Sequence, residues 1–184
     1  VQFVYRTMLY YIHGYASGPN GRKAILFREK LGAIPLRYMD GEEVDVSRCI
    51  ENIENAIRND TRIILIGSSF GGFLSAKIAL ENRNVRSIVL LNPAVVPPDA
   101  IVSDPSIPDK VVRDIQNSGL FEKKIPCDVY IVISTRDELI PREWVLRFAM
   151  FQEATVKFIE DDHRISRNIN LLPDIVSTFL KYGE

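Results

Sequence analysis

Residues Ile63-Ile64-Leu65-Ile66 run directly into Gly67-Ser68-Ser69-Phe70-Gly71-Gly72. A short continuous apolar run that ends at glycine reads as a strand buried on both faces, the habit of a parallel sheet. Gly67-x-Ser69-x-Gly71 has the pattern of a nucleophile elbow, a strand-to-helix turn so sharp that the serine takes a strained backbone conformation. Its hydroxyl then projects clear of the sheet. The residues two before and two after the serine must be small, or their side chains collide across the turn. Glycine fills both places, and Gly72 lets the following helix pack close to the strand. A lone G-x-S-x-G is common in sequences. Its placement between a buried strand and an amphipathic helix is what gives it weight here.

The rest of the chain alternates strand-like and helix-like segments. Strands are expected at Met8–Ile12, Ala33–Met39, Ile63–Ile66, Val85–Leu91, Val129–Ser134 and Thr155–Ile159. Helices are expected at Arg22–Leu31, Val46–Asn59, Phe70–Asn82, Arg142–Phe151 and Asn168–Tyr182. The spacing of Val46, Ile50, Ile53 and Ile57 is helical. Such alternation predicts an α/β architecture with about six strands, mostly parallel, and helices on both faces. No repeat, low-complexity tract or linker interrupts it, so residues 1–184 are expected to form one domain.

Residues 93–126 break the alternation. Pro93, Pro97, Pro98, Pro105, Pro108 and Pro126 are too many for one continuous helix. A shorter helix over about Asp109–Ser118 fits. The segment reads equally as a cap over a site or as a long surface connection.

In open parallel sheets, active groups gather beyond the carboxyl ends of the strands. That rule selects His13-Gly14, Ser69, Asn92, Asp137 and His163. A serine needs a base to take its proton, and the chain has only two histidines. His163 follows the last expected strand and is the candidate base; His13 reads as a structural member of its loop. An acid that fixes the imidazole tautomer should lie between serine and histidine in the chain. Asp137 fits, in Arg136-Asp137-Glu138 after the fifth strand, and would also suit a turn or helix cap. Glu138 is its neighbouring rival. Asp161 and Asp162 adjoin His163 and are expected to shape the field around it. An oxyanion needs two donors: the backbone N–H of Phe70, after the serine, and one from the loop after the first strand. Tyr15 is the first choice there and Ala16 the second.

Composition excludes several classes. The net charge is −1 with acids and bases interspersed, which gives no electrostatic case for nucleic acid or an anionic membrane. No apolar run approaches a bilayer span, and the first residues lack the regions of a signal peptide. Cys49 and Cys127 show no metal-ligand spacing and read as two reduced thiols, as in a cytoplasmic protein. The widely separated histidines give no metal motif, so neither metal nor cofactor is expected.

His13-Gly14-Tyr15 with Ser17, Gly67-Ser68-Ser69-Phe70-Gly71-Gly72, Leu91-Asn92-Pro93-Ala94-Val95, Asp137-Glu138 and His163 together resemble the YqiA-like esterases, small members of the α/β-hydrolase superfamily. The resemblance covers nearly the whole chain from Thr7 onward. It implies a minimal α/β-hydrolase fold, a Ser69–Asp137–His163 triad and hydrolysis of carboxylic esters or thioesters. Two departures stand out. Thr135-Arg136 precedes the acid where many relatives have a glycine, and Asp161-Asp162 precedes the histidine where a glycine or asparagine is frequent. The expected partner is a small-molecule ester of short to medium acyl chain. The alternatives are an acyl thioester and a non-catalytic binding role on the same fold. Val95, Val96, Ile101, Ile107, Val111, Val112 and Leu120 are candidates to line an acyl pocket or to form the buried side of a cap. The sequence specifies no oligomeric state.

Overall fold

The computed structural model describes residues 6–39, 44–102 and 107–182. In chain order these form β1 (Met8–Ile12), α1 (Arg22–Leu31), β2 (Ile34–Pro35), α2 (Val46–Ile57), β3 (Ile63–Ser68), α3 (Phe70–Glu81) and β4 (Val85–Leu91). Then follow α4 (Asp109–Gln116), β5 (Asp128–Ser134), α5 (Arg142–Gln152), β6 (Thr155–Ile159), a 3₁₀ turn at Ile169–Leu171 and α6 (Leu172–Tyr182). The six strands form one sheet in the order β2-β1-β3-β4-β5-β6, with every pair parallel.

Alternate residues of each strand point to opposite faces, and both faces are covered. Ile12, Leu65, Ile88, Leu90, Ile131 and Ile133 pack with residues of α2, α3, α4 and α5. Tyr11, Ile66, Val89, Leu91 and Val132 pack with α1 and α6. Phe27 on one side, and Phe73 and Phe148 on the other, are fully buried; each such side chain contributes about 1.5–3 kcal/mol. Helix α1 ends where Gly32 takes a φ of 68° and its N–H bonds back to Arg28, the stop signal visible in the sequence.

Two expectations need correction. The strand expected over Ala33–Met39 is a ladder of only two residues. Pro35 has no N–H to donate, and after Leu36 N–H reaches Tyr11 C=O the segment leaves the sheet. Side-chain bonds then hold it: Tyr38 donates its hydroxyl to His13 C=O at 2.7 Å, and Asn52 donates to Tyr38 C=O. Helix α3 is not amphipathic. Phe70, Phe73, Leu74, Ala76, Ile78 and Ala79 are all buried, because the helix is wedged between the sheet and its neighbours.

In the segment between β4 and β5 the described regular structure is α4. Gln116 donates to Pro97 and Ala100 C=O, and buried Gln152 of α5 bonds Leu120 C=O, Lys123 C=O and Ile125 N–H. These amides tie both halves of the segment down. Val95, Val96 and Leu120 belong to the core, while Ile101 is exposed. Residues 103–106, including Pro105, and residues 1–5 lie outside the described residues.

Gly71 sits where β1 passes the start of α3. A methyl group there would strike the carbonyls of Ile12 and His13. Both obstacles are backbone, so neither can rotate aside. We expect Gly71→Ala to lower stability by about 2–3 kcal/mol, read as a lower urea midpoint at unchanged slope. An unchanged midpoint would mean the approach carries no constraint.

Candidate active site

Ser69 stands between β3 and α3 with φ 53° and ψ −117°. A non-glycine residue in this region is strained by about 1–3 kcal/mol. Surrounding bonds hold it there. Its N–H donates to Leu91 C=O at 2.9 Å, and its C=O accepts from Gly72, Phe73 and Ala94. A side chain at Gly67 would strike Gly71 C=O and the Ser75 hydroxyl, so glycine is the residue that lets the turn close.

The Ser69 hydroxyl lies 2.9 Å from Nε2 of His163. The other ring nitrogen, Nδ1, lies 2.8 and 3.0 Å from the two carboxylate oxygens of Asp137. An ionised carboxylate only accepts, so the proton belongs on Nδ1, and Nε2 is left to accept from the serine hydroxyl. The His163 and Asp137 side chains are 7% and 5% exposed, so solvent competes little with this arrangement.

Asp137 does two jobs. Its Oδ1 also accepts from the N–H groups of Leu139 and Ile140 at 2.9 Å, closing the turn before α5. Glu138 does not reach the imidazole; its carboxylate accepts the backbone N–H of His163 at 3.0 Å. Asp161 and Asp162 have a structural role beside the one expected of them. The Asp161 carboxylate accepts from Asp162, Arg167 and Asn168 N–H and from the Asn168 amide, and Asp162 accepts from Ser166 N–H. They fold the loop that carries His163. Burial works against the charge of Asp161, but this ring of donors outweighs it and holds the carboxyl below the usual range. The same loop contains Ile165 at φ 55°, fully buried, a conformation rare for a β-branched residue.

Asn92 has a role the sequence did not reveal. Its φ is 44°, its Oδ1 accepts Ser134 N–H at 2.7 Å, and its amide donates to the Ser134 hydroxyl and to His163 C=O. It joins the ends of β4 and β5 to the His163 loop. The signal was an Asn-Pro pair closing a strand, since asparagine tolerates the left-handed region. His13 is apart from the serine hydroxyl's bonding. It is buried, its Nδ1–H donates to Gly14 C=O at 2.9 Å, and its ring lies 4.5 Å from that of Tyr38. Burial holds it below the usual histidine range, with the Gly14 carbonyl opposing.

Gly14 packs so that a β-carbon there would touch Ser69 Cβ and Ser68 C=O at 3.4 Å. The loop after β1 therefore passes directly beside the serine. Tyr15 and Phe70, expected to offer backbone N–H groups, flank it, with their rings edge to face at 6.3 Å. A cavity of about 610 Å³ opens over the serine. Tyr15, Ala16, Phe70, Ile107, Val111 and Ile115 are among its lining residues, so α4 forms part of its wall. Among the described residues no cluster of His, Cys, Asp or Glu could hold a metal ion, and no helix is long and apolar enough to cross a membrane.

This sheet order and this serine turn define an α/β-hydrolase fold. Solved structures agree. Est1E from Butyrivibrio proteoclasticus, in a complex with ferulic acid, is 22% identical, covers 97% of this chain and 89% of its own, and superposes with a TM-score of 0.80. The Pyrococcus furiosus esterase Pf2001 is 17% identical over 97% and 82%, TM-score 0.70. A lipase-esterase related protein from Clostridium acetobutylicum is 17% identical over 94% of each chain, TM-score 0.70. No curated protein matches by sequence. The profile of the uncharacterised protein family UPF0227 matches residues 8–179, and the chain belongs to that YqiA-like family.

Replacing Ser69 by glycine should relieve backbone strain and raise the melting temperature, by about 1 kcal/mol in stability; a fall would show that Ser69 is not strained. Asp161→Asn should cost about 2–3 kcal/mol at neutral pH. The folded carboxyl titrates below its unfolded value, about 3.9. The stabilisation is thus present above that value and is lost as pH falls through the folded one. The gap between wild type and variant should therefore narrow in acid, and a gap that held constant to the acid limit would contradict the assignment.

Proposed function

We propose that the protein is a serine hydrolase that cleaves carboxylic esters with short to medium acyl chains through an acyl-enzyme on Ser69. The observation that carries this is the unbroken run from Ser69 Oγ to His163 Nε2, and from Nδ1 to Asp137, at 2.9 and 2.8 Å.

In this reading Ser69 Oγ attacks the acyl carbonyl as His163 takes its proton at Nε2. Asp137 fixes the tautomer and stabilises the imidazolium. The carbonyl oxygen, now negative, is held by the N–H groups of Phe70 and Tyr15, with Ala16 the second choice for the latter; one such donor is worth about 10²–10³ in rate. His163 then returns the proton to the leaving alcohol. Water attacks the acyl-enzyme with His163 again as base, and the carboxylic acid leaves with Ser69 restored. No cofactor enters any step. Ile107, Val111 and Ile115 give the acyl chain an apolar wall, so α4 and the residue before its N-cap act as a cap on a single domain. The fold shared with Est1E and with the Pyrococcus esterase is in keeping with this chemistry.

A fluorophosphonate should label the folded protein once, at Ser69, by peptide mass mapping. Ser69→Ala should abolish the label and His163→Ala should slow it greatly. Asp137→Asn should lower ester turnover by on the order of 10⁴-fold without loss of fold. Absence of labelling in the folded wild type would overturn the reading.

A further inference from the structure

The cavity over Ser69 straddles the carboxyl edge of the sheet, and its two sides differ chemically. Phe70, Val111 and Ile115 come from the face covered by α3 and α4 and are apolar. On the side of α1 and α6, Arg22 and Lys23 open α1, and Arg164 follows His163; all three line the cavity, beside Ser17 and Ser166. Among the described residues no aspartate or glutamate lines it. The net charge of the whole chain is −1, so this positive wall is a local arrangement.

The three cations have no ion-pair partner among the described residues, whereas Lys110, Lys124, Arg136 and Arg147 elsewhere are paired with carboxylates. Asp161 and Asp162, the carboxylates whose charges reach Lys23, are engaged by groups of the His163 loop, Asp161 through both oxygens and Asp162 through Oδ1, and neither forms an ion pair with it. Burial pushes the Lys23 ammonium down to about 8, with Asp162 and Asp161 opposing and Arg164 adding to the fall. It is a partly desolvated cation on the cavity wall, and the two carboxylates whose charges act on it, Asp162 and Asp161, belong to the His163 loop and do not line the cavity. Helix α1 starts here with no acid in its first turn, so its dipole has the same sign.

Resting on the serine-hydrolase reading, we propose that the preferred ester has an apolar acyl chain and an alcohol part that carries an anion, a carboxylate or a phosphate, bound by Lys23, Arg22 and Arg164. The acyl chain lies along Val111 and Ile115, the scissile carbonyl at Ser69, and the charged alcohol against the opposite wall. The cations discriminate between substrates and take no part in proton transfer. Because they meet the part of the substrate that leaves first, they act on binding and acylation and leave deacylation untouched.

Three butyrate esters test this: 4-butyryloxybenzoate, 4-butyryloxyphenyl phosphate and the neutral 4-butyryloxybenzamide, each rate scaled to its alkaline hydrolysis. Wild type should favour at least one anionic ester by about tenfold in kcat/KM, mostly through KM, and less so at high salt. Preference for the benzoate or for the phosphate identifies the anion. Lys23→Met combined with Arg164→Ala should abolish the preference, Lys23→Arg should retain it, and turnover of the benzamide should stay within about twofold, which also reports an intact fold. Equal kcat/KM for charged and neutral esters, or a preference that survives the double variant, would overturn the proposal and leave the serine-hydrolase reading standing. If wild type hydrolyses none of the three and Ser69 resists the phosphonate, that reading falls and this inference with it.

Discussion

A serine at φ 53° is not a conformation its own local preferences select. Everything near it in the chain and across the sheet is arranged to hold it. The N–H of Ser69 is taken by Leu91 at the end of β4, and its C=O is shared by Gly72 and Phe73 of α3 and by Ala94 beyond β4. Gly67 and Gly71 permit contacts that any larger residue would block. Strain of this kind persists where the surroundings over-determine the backbone. Here the surroundings are two buried central strands, β3 and β4, and a helix buried nearly all round, so α3 lacks the polar face expected of it.

The same economy recurs at the carboxyl edge. The turn that ends β5 and the loop that follows β6 lie at the ends of neighbouring strands and are joined through backbone bonds: Thr135 N–H to Ile159 C=O and Arg136 N–H to Asp161 C=O. Glu138 then reaches the His163 N–H, and Asn92 reaches its C=O. The imidazole is therefore fixed at its backbone on both sides before Asp137 orients the ring. Preorganisation of this sort lets a hydrogen-bond chain function without reordering at the moment of reaction.

Much of this was legible in the sequence. The Ile63–Ile66 run, the glycines around Ser69, and Asp137 and His163 after strands located the elements and three side chains that the fold brings within hydrogen-bonding distance. These features are local: periodicity, turn chemistry and chain order suffice to read them. What escaped was set by tertiary partners. Ala33–Met39 has the composition of a strand, but Pro35 and the competing bonds of Tyr38 end the ladder early. Asp161 reads in the sequence only as a charge beside a histidine; the folded loop shows that its oxygens also accept four N–H groups. The anchoring role of Asn92 depends on Ser134 and His163, which are 42 and 71 residues away. The cationic wall of the cavity brings Lys23 beside Arg164 on one side of the sheet edge, a juxtaposition with no signature along the chain.

The central claim is that Ser69 becomes covalently acylated. The direct measurement is rapid mixing with p-nitrophenyl butyrate, acid quench at successive times, and peptide mass mapping. The account predicts a butyryl ester on Ser69 that forms with the first release of p-nitrophenol and declines as substrate is exhausted. Turnover in which Ser69 stays unmodified at every time point, or in which the butyryl group appears on another residue, would contradict it.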